Sequence, residues 1–516
     1  MAVELNERLY ISLFSCFIFF LIALKLTRRR SNSNLPPSPP KLPIIGNLHQ
    51  IGKLVLLHHS FRDLSHKYGP LMLLHLGQTP TLVVSSADLV REMAKSHDVV
   101  FSDRPLITAG EAHFFGCNDV IFAPYGEGWK QRRKVAVAEF LALAKVRSFQ
   151  FISEGEVAVL VNEIREACMK NNEGSSSSVV SVNLFQMMVV TSINIMSRCV
   201  FGHKYEMGEI VMEMLHQIGE FSFGDFFPSL WWMDLVTGLL PRMKATSRKL
   251  QNFIDHMIEL HSSKHMNSHE NNNLLDVLLQ LHHHPMPHSD LSLLSIKTIV
   301  ADMFVAGVDA TSTTVEWAMA ELMRRGGKMK RAQEEVRGIV GHKPTIDQTD
   351  VSEMKYLKCV VKETLRLHPP GPLLAPRKTL SSVKLGGYDI PPKTKVLVNV
   401  WAIHRDPKYW ERPEEFVPER FEKSEIDFKG QDFELIPFGF GRRGCPGQSF
   451  GIASVEYALA NLLYWFDWKL PDDGTSSSAM DIDMSEASGL VVSKKIPLLL
   501  QPIPHPTFVP ETCDTA

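Results

Sequence analysis

Near its C-terminal end the chain carries three glycines in dinucleotide-type spacing, Gly439, Gly441 and Gly444, directly before a helical run, with an acid, Asp467, further on. That spacing marks a doubly wound sheet when a strand feeds it and further strands follow, with the acid about twenty residues beyond. Neither strand condition holds. Pro437 breaks the segment before the loop, and too little chain remains afterwards for the rest of such a sheet. The loop must serve another purpose, and the fold has to be argued from the remainder of the chain.

That remainder is mainly helical. Amphipathic periodicity runs through Leu57 to Tyr68, Val157 to Met169, Lys249 to His261, Ile296 to Arg324 and Ser449 to Trp465. Strand-like pieces are short and sit at Leu71 to Val84 and Val383 to Val400, each broken by Gly or Pro. A mainly α protein with small β-sheets follows. With 516 residues, 44% hydrophobic and 22% charged, there is apolar surface enough for a large core. Polar tracts at Asn171 to Ser178, Lys264 to Asn273 and Gly474 to Ser478 read as loops.

Leu9 to Leu24 is a run of 16 uncharged, mostly apolar residues. Snorkelling of Lys25 extends it to Thr27, near the ~20 residues needed to span a bilayer. Glu4, Glu7 and Arg8 precede the run while Lys25, Arg28, Arg29 and Arg30 follow it, the reverse of a cleaved signal peptide. Basic flanks stay in the cytosol, so 1–30 reads as a single membrane anchor with the body on the cytosolic side. Pro36, Pro37, Pro39, Pro40 and Pro43 favour stiff polyproline II and predict a hinge over 31–45 that has little means of joining a core. The body is expected at 46–505 and a tail at 506–516.

Basic and acidic side chains number 55 and 57, a formal charge of −2, so no nucleic-acid partner is expected. Seven cysteines scattered from Cys16 to Cys513 do not form a secreted disulfide framework and fit a reducing compartment. His282, His283, His284 and His288 lie in a Pro-containing stretch without four-ligand spacing and read as a solvated loop.

In the glycine-rich turn itself, one cysteine, Cys445, stands just before a helix, with Arg442 and Arg443 shortly before it and Pro446 after it. Backbone N–H groups, the positive helix end, and the two arginines all favour a thiolate there. The segment Phe438 to Gly447 resembles the haem-thiolate signature F-x-x-G-x-R-x-C-x-G of the cytochrome P450 family, matched at Phe438, Gly441, Arg443, Cys445 and Gly447. In that family a cysteine thiolate holds the haem iron. The resemblance covers nearly the whole chain after the hinge and implies the P450 fold behind one N-terminal transmembrane helix. It makes Cys445 the axial ligand of haem b.

Further marks fit that resemblance. Glu363 and Arg366 lie one helical turn apart, and Arg420 in Pro418-Glu419-Arg420-Phe421 is implied to join them in a buried structural triad. Trp129, Arg133 and Arg377 resemble the residues that face the haem propionates, a task suited to a guanidinium fork. Lys130, Arg132, Arg133 and Lys134 resemble the basic face on which an acidic NADPH-cytochrome P450 reductase docks.

Ala306-Gly307-Val308-Asp309-Ala310-Thr311 resembles the family's A-G-x-[DE]-T segment, with one departure: Ala310 stands where the threonine that assists proton delivery is usual. Thr311 is expected to be turned about 100° off the face holding Ala306 and Ala310. Three remedies stay open: water held by Asp309 or Thr311, which is the favoured proton relay, the substrate's own hydroxyl, or direct use of an iron-peroxo species.

The resemblance implies oxidation of R–H by dioxygen with electrons from NADPH through the reductase. It places Phe114, Phe115, Val305, Ala306, Ala310, Leu373, Leu374, Ala375, Leu490 and Val491 around a hydrophobic substrate. The start at Leu42 and the Trp401 to Phe421 segment look like plant microsomal members of specialised metabolism, at the endoplasmic reticulum membrane. Terpenoids lead as substrates, then coumarins and other phenolics. Two other classes stay open: a reductase-independent isomerase or dehydratase, and a membrane haem-binding protein without turnover.

Overall fold

The computed structural model describes Ser15 and residues 34–51, 56–173, 181–265, 273–284, 291–471, 482–487 and 489–506. The expected anchor at 1–30, apart from Ser15, the tail beyond residue 506, and His288 lie outside the described residues.

The helix Leu293–Arg324 forms the axis of the body. It is apolar on nearly every side, from Ile296 to Met323, and a helix of that kind must be enclosed by others. The Ser292 hydroxyl caps its start by accepting the Ser295 N–H at 3.2 Å. Its first half packs in one apolar cluster with the helix Leu184–Phe201. Its second half packs in another with Gln448–Trp465 and Lys355–Leu367. Leu184–Phe201 is long and apolar enough to cross a membrane, yet 67% of it is buried in the protein, as suits a core helix. Gly307 permits this packing: a Cβ there would meet Met196 Cε at 2.6 Å.

The helices expected from periodicity occur as Leu57–Tyr68, Gln150–Glu173, Leu239–His265, Leu293–Arg324 and Gln448–Trp465. A four-stranded sheet holds, in order, Leu71–Leu76, Thr79–Val84, Lys395–Val398 and Arg377–Lys378, and joins the two expected strand regions through Val84 opposite Val398. A separate sheet of Val182–Asn183, Leu499–Pro504 and Phe466–Lys469 has no strong sequence signal, because its strands are very short or interrupted by Pro502 and Pro504.

The proline-rich stretch does not stand apart from the body. The Pro37 carbonyl accepts the Leu73 N–H at 3.0 Å, Asn47 donates to the Pro39 carbonyl at 3.2 Å, and Gln50 donates to the Pro40 carbonyl at 2.6 Å. Pro36 and Pro39 are buried. Proline lacks a donor but keeps its acceptor, so a segment poor in N–H groups is still tied down by donors from the body.

Candidate active site

Between the long helix and the cysteine loop lies a cavity of about 330 Å³. Ala306, Gly307 and Ala310 leave the room on the helix side. Opposite, the loop folds back so that the Cys445 N–H donates to the Phe438 carbonyl at 2.8 Å before the chain enters Gln448–Trp465. The turn needs glycine at 441, where φ is +62° and a Cβ would collide with the Asp98 carboxylate. Cys445 and Ala306 are exposed although deep in the protein, because the surface they show is the cavity's own.

Burial pushes the Cys445 thiol up, and the Gly447 backbone and the Arg133 guanidinium oppose this without reversing it. This corrects the expectation that both neighbouring arginines favour a thiolate. Arg442 turns outward to Asp98 at 3.2 Å. Arg443 donates to the Ser102 and Ala123 carbonyls, each at 2.6 Å, and lies 3.9 Å over the Trp129 ring. A thiol raised by burial becomes a thiolate when a metal cation coordinates it.

Arg104, Arg133, Arg377 and Arg443 all line the cavity. Their hydrogen bonds run to backbone carbonyls: Arg133 to Gly444 at 2.7 Å, Arg377 to Phe440 at 2.7 Å, and Arg104 to Ile121 at 3.0 Å and Pro376 at 2.6 Å. Among the described residues none of the four forms an ion pair, and Arg443 Nη1 is buried without any partner. Burial, reinforced by Arg377, lowers Arg443 to about 9, and burial lowers Arg377 to about 10. Uncompensated buried cations demand an anion. A group presenting both a metal to Cys445 and carboxylates to these guanidiniums meets both demands, so the residues fit haem.

Asp309, Thr311, Phe438, Val305, Leu374, Ala375, Leu490 and Val491 also line the cavity, together with Ala306 and Ala310. Trp129, Leu373, Phe114 and Phe115 do not. Trp129 lies beneath Arg443 and donates to the Val120 carbonyl at 3.0 Å. Phe114 is fully buried against Phe122, ring centroids 5.3 Å apart, while Phe115 occupies a tight turn at φ +50°. Leu373 packs with the Leu74 and Val83 cluster. The apolar wall comes instead from Val120, Ile121, Phe122 and Met303.

Sequence reading missed Arg104, Asp119 and Asp302. Asp302 accepts the Val120 N–H at 2.7 Å, and Asp119 accepts the Phe122 N–H at 2.8 Å. Burial raises both carboxyls, and the charge of Asp119, which lies within hydrogen-bonding reach, lifts Asp302 further. A lone acid inside the apolar run from Ile296 to Val308 was the available signal. Arg104 had none.

Burial raises Asp309 to about 6, with a weak hydrogen bond from Thr313 at 3.5 Å opposing. Thr311 does reach the cavity, contrary to the expectation from helix rotation, and its hydroxyl makes no hydrogen bond among the described residues. The cavity wraps wide enough around the helix to include adjacent positions.

The triad assembles away from the cavity. Arg366 Nε meets Glu363 Oε2 at 2.7 Å with both side chains fully buried, and Arg420 Nε meets Glu363 Oε1 at 3.1 Å. The four basic residues from Lys130 to Lys134 do not share one outer face. Lys130 and Lys134 are exposed, whereas Arg133 turns in to Gly444 and Arg132 is half-buried near Asp119 and Asp302.

Known proteins agree with this geometry. The cytochrome P450 family pattern matches residues 36–496. Phenylacetaldehyde oxime monooxygenase CYP71AN24 of Prunus mume is 47% identical over 95% of this chain and 93% of its own length. Desmethylyatein synthase of Sinopodophyllum hexandrum is 45% identical over 95% and 99%. Strychnine-11-hydroxylase of Strychnos nux-vomica is 42% identical over 96% of each. Among solved structures, a zebra fish cytochrome P450 with abiraterone superposes with a TM-score of 0.71 at 27% identity, covering 87% of this chain and 99% of that one. With a cysteine loop facing small residues across a cation-lined cavity, and relatives of this extent, the chain belongs to the cytochrome P450 family, among plant members of specialised metabolism.

Proposed function

We propose that this protein is a haem-thiolate monooxygenase that inserts one oxygen atom of O2 into a hydrophobic plant metabolite, with electrons from NADPH through NADPH-cytochrome P450 reductase. The carrying observation is the cavity, where a buried thiol and four guanidiniums without carboxylate partners face an apolar wall. Terpenoids lead the substrate class and coumarins and other phenolics follow; the relatives' names add phenylacetaldehyde oxime and strychnine to the compounds worth testing.

Cys445 Sγ would ligate the iron, and Arg133, Arg377, Arg443 and Arg104 would hold the carboxylates. When bound, haem supplies the redox chemistry by which one oxygen atom enters R–H and the other leaves as water, with two electrons and two protons consumed. The remaining tasks belong to the chain. Ala306, Gly307 and Ala310 leave space for small reactants, while Val120, Phe122, Leu374, Leu490 and Val491 orient the substrate and exclude water. Asp309, protonated below about 6, and the free Thr311 hydroxyl would hold the water through which protons arrive.

The reading includes a single-pass anchor in the endoplasmic reticulum membrane with the catalytic domain in the cytosol. Besides the charges flanking residues 9–24, exposed Leu42, Ile44, Trp231, Trp232, Leu235 and Val236 support it. These segments adjoin, since the Gly77 N–H donates to Ile45 and the Gln78 N–H to Phe226. Exposed Lys130 and Lys134 remain for reductase docking.

Ala310 favours a second reading, a reductase-independent isomerase or dehydratase. The deciding experiment feeds labelled dioxygen and hydrophobic plant extracts to membranes carrying the protein, with and without NADPH and reductase. Label in the product only when both are present is expected. Conversion without either overturns monooxygenation, and binding of haem without any conversion leaves a haem-binding protein.

A further inference from the structure

Far from the haem cavity in sequence, the first turn of the helix Leu57–Tyr68 brings two imidazoles onto one carboxylate. His58 Nε2 and His59 Nε2 each lie 2.8 Å from Glu486 Oε2, and the three donor atoms fall within 4.8 Å of one another. Consecutive helical side chains diverge by about 100°, so both rings reach one atom only because Glu486 arrives from another segment between them. Among the described residues no other trio of His, Cys, Asp or Glu side chains converges in this way.

The surroundings hold the trio in place. The Trp401 ring packs against both imidazoles, at 5.2 Å from His58 and 4.1 Å from His59. Asn399 donates to the His58 carbonyl at 2.8 Å. The backbone around Glu486 is pinned by Ala487 N–H to Ser493 at 2.9 Å and Lys495 N–H to Ser485 at 2.8 Å. The nearby Arg405 and Arg62 share the single carboxylate of Glu414, at 3.1 and 2.6 Å, so one positive charge stays beside the trio. Within the trio the Glu486 carboxylate supplies the one formal charge.

The donor set suits a cation: each imidazole offers a ring nitrogen and Glu486 a carboxylate oxygen, the ligand types that zinc takes.

We propose that His58 Nε2, His59 Nε2 and the Glu486 carboxylate form a site for a divalent cation of the zinc type, with water as the fourth ligand. Zinc bonds of ~2.0–2.1 Å in a tetrahedron separate donor atoms by about 3.3 Å; each His–Glu486 spacing of 2.8 Å opens towards that value, and the two imidazole nitrogens, within 4.8 Å of each other, settle at the same separation. His59 is 42% exposed, which leaves an entry path and room for the water. On binding, the contacts of both Nε2 atoms to the Glu486 carboxylate are exchanged for bonds to the metal. The ion would tie the N-terminal helix to the segment that leads on to Leu490 and Val491 in the cavity wall.

The test is equilibrium dialysis of the haem-loaded, zinc-free protein against Zn2+, for the unaltered chain, His59→Ala, Glu486→Gln, and a control with His282, His283 and His284 all changed to alanine. Haem content verifies that each variant is folded, and partly exposed His59 is the safer position should Glu486→Gln misfold. One equivalent bound, retained in the control and weakened by at least the ~10–100-fold typical of metal-site changes in the two variants, is expected. Equal affinity in His59→Ala, loss in the control alone, or no equivalent bound by the unaltered chain overturns the proposal.

Discussion

The Asp302 carboxyl accepts the Val120 N–H at 2.7 Å, a bond that crosses from the axial helix to the loop forming the apolar wall of the cavity. Asp302→Ala strands that buried N–H and lowers stability by ~1–3 kcal/mol. Asp302→Asn keeps an acceptor and a donor for Asp119, so it stays close to the unaltered protein. Denaturant unfolding measures the cost, and the ratio of product isomers reports whether the wall has moved. An unchanged midpoint and unchanged products in Asp302→Ala would show that the loop is held by other contacts.

Glu363 accepts from Arg366, Arg420 and the Val417 N–H, the last at 2.7 Å. Glu363→Ala leaves a fully buried guanidinium without its counter-charge, at ~3–5 kcal/mol. The loss falls at the lower end, because Arg366 still donates to the carbonyls of His404, Pro413 and Glu415 at 2.7, 2.8 and 2.9 Å. Haem bound per chain falls with it. Full haem content together with an unchanged unfolding midpoint would count against a structural triad.

Asp309 sets a pH window. Its folded value of about 6 exceeds the ordinary 3.8, so between these values the folded chain holds a proton that the unfolded chain has released. Raising the pH through this window therefore lowers stability, by about 3 kcal/mol in all. Asp309→Asn removes the share of that slope due to Asp309 and leaves the share due to Glu316 and Glu456, which burial raises to about 7. Unfolding free energies at pH 4 to about 7 check it, and identical slopes in the two proteins would place the titration elsewhere.

Thr311 carries an unbonded hydroxyl in the cavity where Ala310 has none. Thr311→Ala should lower turnover by about 100-fold, the low end for a proton-transfer group, while Thr311→Ser retains most of it. Ala310→Thr adds a second hydroxyl and should lower the hydrogen peroxide released per NADPH consumed. Peroxide and product assayed in the same reaction separate the two effects, and a Thr311→Ala protein with normal turnover would remove Thr311 from the relay.

The cysteine loop was legible because its geometry is local: Gly441 permits the turn, and Cys445 is bonded back to Phe438 within the same loop. Glu363 and Arg366 were legible because a helix always sets residues three apart on one face. Other features could not be read in this way. Asp302 and Val120 lie 182 residues apart, His58 and Glu486 lie 428 apart, and nothing in either segment names its partner. Phe114 and Phe122 have the same side chain and are both buried in one apolar cluster, yet Phe122 lines the cavity and Phe114 does not, and positive φ at Phe115 and Cys117 turns the backbone between them. The prolines from 36 to 40 are tied down by Leu73, Asn47 and Gln50, donors that composition does not reveal. Covalent spacing within a turn or a helix determines which groups meet locally. The packing of distant segments, which minimises exposed apolar surface and unpaired polar atoms over the whole chain, decides which of them face the cavity.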